Sequence, residues 1–502
     1  MSEPDLKNTS DGISNRALPP FIDHPSLDIS EILINIFSKC DRSTSAASSC
    51  VCRTWSDLAV DQLWSSLPSL LPLLRILLPL VVIDDIFDFD RKARPPNWKR
   101  FWALTSKVRT LIHDDGQKGG ANESPTQLSG RIAPNAISYL LLHQSWADRQ
   151  FLLPKLERIE WAANWEHSLH QAFYFMSPAL RELSIDIGES MPPNLVSRTL
   201  ESLAPLPPMN VTTLIIKTRY PGQGWDLQLA PTVASFVKFQ PTLLLLDVGG
   251  MWSRSEVVES LIQHTSLMSL ELLLHFDTLS ELRSSLELLA HQCPRISRFT
   301  YALPGSFPLL TPRDAMEPLL SCRLLAQFEI FHHSGLPVDS DDIKRMAQAW
   351  REMEVLRLCA DTTDTIHVGT PLALLLEFAE EFSPHLRRLA LNFLFDVHLP
   401  KPNVVWTSFP SLEILGAGTS KPGSTAQAIL IGEFLACVCS EQTELAYIWC
   451  NGWRCEAFDT TGWKNGPEAS HWVEVAAVMD CGRRIQEAAM AKALRVNEAK
   501  RT

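Results

Sequence analysis

Two periodicities divide this chain. Near the N-terminus the apolar residues recur at helical spacing, and from Ser106 onward they alternate in short bursts. Ile32, Leu33, Ile36 and Phe37 fall at i, i+1, i+4 and i+5, which predicts one apolar stripe on a helix. Ser30, just ahead of Glu31, is the expected N-cap. Polar residues at 41–44 break the helix, and the small residues at 45–50 predict a second, closely packing one. Val51, Trp55, Leu58, Leu63 and Trp64 mark a third. Three helices this short bury little among themselves, so an apolar face is left that asks for a partner helix. Residues 1–24 show no periodicity and read as a disordered N-terminus.

The body repeats one pattern, L-x-x-L-x-I/L, often after a proline. It appears as LPKLERIEWAA from Leu153, SPALRELSIDI from Ser177, MNVTTLIIKT from Met209 and QPTLLLLDVGG from Gln240. It continues from Thr265, Cys293, Arg323, Trp350, Ser383 and Phe409, with an early member at Ser106 and a late one at Thr443. The second apolar anchors are Ile159, Leu183, Leu214, Leu246, Leu270, Phe299, Phe328, Leu356, Leu389 and Leu415, spaced 24 to 33 residues apart. That spacing overlaps and slightly exceeds the leucine-rich-repeat period. Each burst suits a short strand with its apolar side facing inward. Helical stretches at 255–264, 279–291, 341–350 and 371–382 lie between bursts, and Asp341 and Asp342 suit a helix start. Strand and helix in alternation imply parallel strands and stacked units. The expected fold is therefore α/β: a short three-helix module at 25–66, a helical linker and cap at 67–105, and an irregular leucine-rich-repeat-like solenoid at 106–455 with parallel strands on its concave face. A loop and a capping helix, the helix running from Trp472 to Leu494, are expected at 456–502. The rival is a layered α/β domain with the same alternation.

Composition narrows the reading. By length alone 502 residues suggest about three domains, but a solenoid grows without separate cores. With 45% hydrophobic and 20% charged residues the chain is of globular type. A net charge of −12 argues against general nucleic-acid binding and favours basic partners. The opening MSEPDLKNTSDG has no apolar run, so no signal peptide is expected. Leu67 to Ile83 is the longest apolar stretch, and Pro68, Pro72, Arg75 and Pro79 interrupt it. It falls short of the ~20 residues of a spanning helix, so no membrane is expected as a partner. The eleven cysteines are expected as reduced thiols in the cytoplasm or nucleus.

Candidate chemistry is sparse. Cys437, Cys439, Cys450, Cys455 and His471 lack the spacing of a paired zinc knuckle. His332-His333, ahead of Asp339, Asp341 and Asp342, reads as a surface loop. Gly416 to Lys421 lacks the order of a phosphate loop, and no G-x-S-x-G or H-E-x-x-H occurs. The reading is a non-enzyme without cofactor or metal. Trp161, Trp165, Trp252, Trp449 and Trp453 lie at or past strand ends and are candidate partner anchors. Lys217, Arg219, Arg387 and Arg388 are candidates for a phosphorylated target.

Glu31-Ile32-Leu33, Ile36-Phe37, Val51-Cys52-Arg53, Trp55 and Trp64 resemble the F-box in order and spacing. The stretches LWSSL from Leu63, SLLPLLRILLPL and NWKRFWALTSKVRTL from Asn97 resemble fungal F-box proteins with degenerate leucine-rich repeats. The resemblance implies a substrate-recognition subunit of an SCF-type cullin ubiquitin ligase. Its F-box would dock a Skp-type adaptor through Ile29, Ile32, Leu33, Ile36, Phe37, Val51, Trp55, Leu58 and Trp64. Cullin and a RING subunit would follow through that adaptor, and the solenoid would hold a target protein. Where the family commonly has Leu-Pro before the acidic residue, this chain has Ile29-Ser30. That departure favours the alternative, a non-ligase interaction scaffold with a helical cap.

Overall fold

The structure, a computed structural model, describes residues 29–90, 92, 95–115, 130–188, 191–202, 210–218, 226–304, 310–332, 336–360, 369–395, 399, 408–418, 420, 422–446 and 470–501. The expected disordered segment 1–24 and loop 456–469 lie outside them. The chain forms two compact units, Met1–Ser66 and Leu67–Thr502.

The first unit is three helices: α1 (Ser30–Lys39), α2 (Arg42–Ser48) and α3 (Arg53–Ser65). Ser30 is not the cap of α1. Ile29 holds that place in extended backbone and makes no side-chain cap bond. The break between α1 and α2 is shorter than the polar run suggested, because Asp41 caps α2 by accepting from the Thr44 amide at 2.7 Å. Leu33, Phe37 and Ala59 are the fully buried core, with Cys40, Trp55 and Leu58 packed against them. The Phe37 and Trp55 rings meet edge to face, 5.7 Å between centroids.

After β1 (Ser66–Leu67), which falls at the boundary, the second unit has α4 (Leu71–Leu77), β2 (Leu80–Ile83), β3 (Ile86–Phe89), α5 (Trp98–Thr105), β4 (Thr110–Asp114), β5 (Arg131–Ile132) and α6 (Pro134–Trp146). The 67–105 stretch is thus not helical throughout: β2 and β3 form an antiparallel hairpin, and β5 joins β3 in a separate sheet. The alternation then becomes regular: β6 (Arg158–Ala163), α7 (Ser168–Phe173), β7 (Glu182–Ile187), α8 (Pro193–Glu201), β8 (Thr213–Thr218), α9 (Asp226–Lys238), β9 (Leu245–Ser253), α10 (Ser255–Ser260). Next come β10 (Ser269–Leu274), α11 (Leu279–Gln292), β11 (Arg298–Ala302), α12 (Pro312–Met316), β12 (Gln327–His332), α13 (Ser340–Ala349) and β13 (Val355–Ala360). The last elements are β14 (Thr370–Pro371), α14 (Leu375–Phe382), β15 (Arg388–Leu391), β16 (Phe393–Leu394), β17 (Ile414–Gly416), α15 (Thr425–Val438), β18 (Glu444–Ala446) and α16 (Ser470–Arg501).

Thirteen strands form one sheet in the order β1-β4-β6-β7-β8-β9-β10-β11-β12-β13-β15-β17-β18. From β4 to β18 every neighbouring pair is parallel. This is the strand–helix solenoid that the spacing predicts. The ten anchors read from the sequence form a single register row, Ile159 beside Leu183 and so on to Leu389 beside Leu415. Every member is buried. The first apolar residue of each burst, from Leu156 and Leu180 to Leu386 and Leu412, is buried as well. The row works because each side chain is covered by the same position in the units before and after it. At about 25 cal/mol per Å² of apolar area removed from water, such stacking is the main stabilising term.

The turn before each of β6 to β13, β15 and β17 is fixed by the backbone. The carbonyl of Arg181 accepts the amides of both Thr212 and Thr213, and Glu354 accepts those of Arg387 and Arg388. The same doubled acceptance recurs at Arg109, Glu157, Thr212, Leu244, Met268, Ser297, Ala326 and Arg387. At the far end α16 lies along α15. A Cβ on Gly432 would meet Val478 Cβ at 2.7 Å, so only glycine allows this approach. Trp472 Nε1 donates to the Ser420 carbonyl at 2.8 Å and fixes the start of α16. No described helix is long and apolar enough to cross a membrane.

Candidate functional site

The strongest candidate surface is on the first unit. An apolar helix normally turns its apolar residues inward, but α1 has more of them than its small core can take. Leu33 and Phe37, four residues apart, are turned into the core. Ile29, Ile32 and Ile36, on the neighbouring stripe, remain 45%, 39% and 43% exposed. Val51, in the turn before α3, is 52% exposed. Exposed large apolar side chains in such density make this patch the candidate binding surface.

The nine residues singled out by sequence therefore divide. Ile29, Ile32, Ile36 and Val51 form free apolar surface. Leu33 and Phe37 are core, with no surface to offer a partner, because the third helix covers them through Ala59 and Trp55. Trp55, Leu58 and Trp64 are half-buried, the first two spending their area on that core. Ile34, half exposed, adds to this surface. It sits off the stripe that periodicity selects, so only its surface area reveals it.

The polar residues of this unit set its geometry. The Thr44 hydroxyl and amide and the Ser43 hydroxyl donate to Asp41 and hold its carboxyl below the usual range. Arg42 Nη1 donates to the Ser66 carbonyl at 2.7 Å, tying the start of α2 to the end of α3.

The other sequence candidates fare differently. Trp161 is buried, donates from Nε1 to Ser168 Oγ at 2.9 Å and packs on His113 and Phe175, so it is core rather than a partner anchor. Trp165 is half-buried and meets His167 edge-on. The Trp252 side chain, Trp449 and Trp453 lie outside what the structure describes, as do Arg219, His333, Lys421, Cys450 and Cys455. Lys217 faces Asp247 at 3.5 Å and Arg387 faces Glu413 at 3.8 Å, so both carry carboxylate neighbours. Arg388 is exposed at the start of β15. Cys437 is half-buried on α15, and burial pushes the Cys439 thiol up to about 12. Among the described residues no group of three or more His, Cys, Asp or Glu side chains is placed to hold a metal. Asp339 caps α13 in a reciprocal box with Asp342. His332 is buried at the end of β12.

Away from the buried row, the sheet presents a second register row: Glu160, Ser184, Ile215, Asp247, Glu271, Thr300, Glu329 and Arg357. Its last members are organised. Arg357 lies 3.6 Å from Glu329, and its guanidinium sits 4.3 Å over the Phe331 ring. Beside them Leu273, Ala302 and Phe331 form a separate apolar cluster.

Comparison with known proteins identifies the helical region. Residues 30–67 match the family model described as F-box-like. No curated protein matches the chain by sequence. Among solved structures, the leucine-rich repeat-containing protein LegL7 from Legionella pneumophila is similar, at 11% identity and a TM-score of 0.32. The match covers 64% of this chain and 91% of LegL7. The chain thus carries an F-box-like domain at residues 30–67, followed by a parallel repeat sheet.

Proposed function

We propose that this chain is the substrate-recognition subunit of an SCF-type cullin ubiquitin ligase. The F-box-like domain docks a Skp-type adaptor, and the adaptor brings cullin and the RING subunit. The observation that carries the reading is the isoleucine stripe Ile29, Ile32 and Ile36, left exposed with Val51 on a domain matched as F-box-like. An apolar stripe of this kind suits insertion against helices of another protein.

The repeat unit holds the target. Its contribution to the reaction is proximity: it raises the local concentration of the target's lysines near the charged conjugating enzyme. No covalent intermediate on this chain is required. The reading carries no cofactor, and places the protein in the cytoplasm, the nucleus or both.

Co-purification of the full chain with the adaptor and cullin tests this. Ile32→Asp with Ile36→Asp is the informative variant, because it alters the exposed stripe and spares the core. Recovery of both partners by the native chain, lost in the variant, supports the ligase reading. Recovery of adaptor without cullin supports the interaction scaffold. Recovery of neither overturns the adaptor assignment.

A further inference from the structure

The hairpin of the second unit has an unusual edge. Asp84 and Asp85 form its turn with φ of 50° and 61°, the backbone of a tight two-residue connection that Asp tolerates. β2 is the terminal strand of the β2-β3-β5 sheet. Its side chains are apolar throughout, and Val82 and Ile83 are 56% and 59% exposed. A bare apolar edge strand is a ready template for another strand, and proteins normally charge or cover it.

The parity of the hairpin says which backbone groups face outward. The Asp90 amide donates to the Pro79 carbonyl at 2.9 Å. In an antiparallel ladder bonded and non-bonded pairs alternate. Val81 with Asp88 and Ile83 with Ile86 are then the other bonded pairs. Leu80 and Val82 direct their N–H and C=O groups away from β3. Among the described residues no strand pairs with that side.

We infer that this edge pairs, antiparallel, with β2 of a second copy of the chain. With a two-fold axis through Val81, Leu80 of one copy faces Val82 of the other, and the outward groups of both satisfy each other. Such a surface is self-complementary, as a closed dimer requires. The charges select the same partner. The acidic turn Asp84-Asp85 stands at one end of β2. Lys92 stands at the other, held by its amide to Asp90 beside Pro79. Antiparallel pairing of two copies brings the turn Asp84-Asp85 of each toward Lys92 of the other, whereas parallel pairing would bring the two acidic turns together.

The test is the mass of the full chain in solution, by sedimentation over a concentration series up to the order of 100 μM. The informative variant is Val82→Pro. It removes an outward N–H without deleting a bond to β3, since Val82 is a non-bonded position of the hairpin. A second variant, Val82→Lys, keeps the backbone donor and charges the edge. The inference expects a concentration-dependent dimer, weakened at least about tenfold in both variants, with far-UV dichroism unchanged. A monomer throughout overturns it. So does a dimer that survives both variants, which would place the contact elsewhere. If the edge instead takes an extended segment of another protein, the isolated chain stays monomeric, and the inference fails. Adaptor binding is read separately, so its loss or retention does not bear on this edge.

Discussion

The two units use the same residue types in opposite ways. In the repeat unit, an aliphatic or aromatic anchor is buried wherever the pattern places it, from Ile159 to Leu415. In the helical unit, adjacent stripes of one helix part company: Leu33 and Phe37 go inward while Ile32 and Ile36 stay out. The difference is one of neighbours. A repeat anchor has a copy of itself on both sides, so burial is guaranteed by stacking. Among the described residues of its unit, α1 packs chiefly on α3, and one short helix cannot cover two stripes. Apolar surplus in a stacked unit becomes core; in a minimal unit it stays exposed.

Core truncation should expose this contrast most strongly. Phe37→Ala should cost about 3–5 kcal/mol, which a unit with so small a core cannot absorb. Amide exchange should show α1–α3 unprotected and the β4–β18 sheet unchanged. Phe328→Ala carries a comparable cost of about 3–5 kcal/mol, drawn against a much longer stack. Exchange should rise around β11–β13, where Phe328 packs on Phe299, Tyr301 and Trp350, while the helical unit stays protected. If Phe328→Ala instead unfolds both units, the contrast between them fails.

Acid sharpens the comparison from the repeat side. Burial lowers the His113 imidazole from the usual 6.5 to about 3. The folded state holds this side chain neutral, so its contribution is complete above pH 6.5 and is lost as pH falls toward about 3. Stability should decline by about 1.4 kcal/mol per pH unit through that window. His113→Phe should remove that part of the slope in a thermal-melt series. The smallest effect belongs to the helical unit. Asp41 is held below its ordinary range by its cap bonds, so its contribution persists above that range and fades as pH falls through the lowered value. Asp41→Ala should destabilise α2 slightly, seen as faster exchange there, and leave His113 behaviour untouched.

How much of this could be read from residues follows the same division. The anchor row was legible because identical spacing and identical burial recur unit after unit. The F-box-like helices were legible as elements, yet their inner and outer faces were not. Periodicity gives the angle between Ile32 and Leu33 but not which of them meets the core. Ser30 looked like a cap, but the helix begins at that residue and Ile29 takes the place before it. The β2–β3 hairpin is not legible because its turn, Asp84-Asp85, lacks the glycine that usually signals one. Its first strand also continues an apolar run that reads as helix. Trp161 looked like an anchor at a strand end, while its indole N–H already had Ser168 as a buried partner.

The central claim is that α1 separates a core stripe from a docking stripe. The direct measurement is adaptor affinity of the Ile32→Asp, Ile36→Asp chain, taken with amide exchange across α1–α3. The account predicts affinity reduced by about thirtyfold or more, with exchange protection of the three helices retained. Native affinity in that variant, or affinity lost only together with the protection, would contradict it.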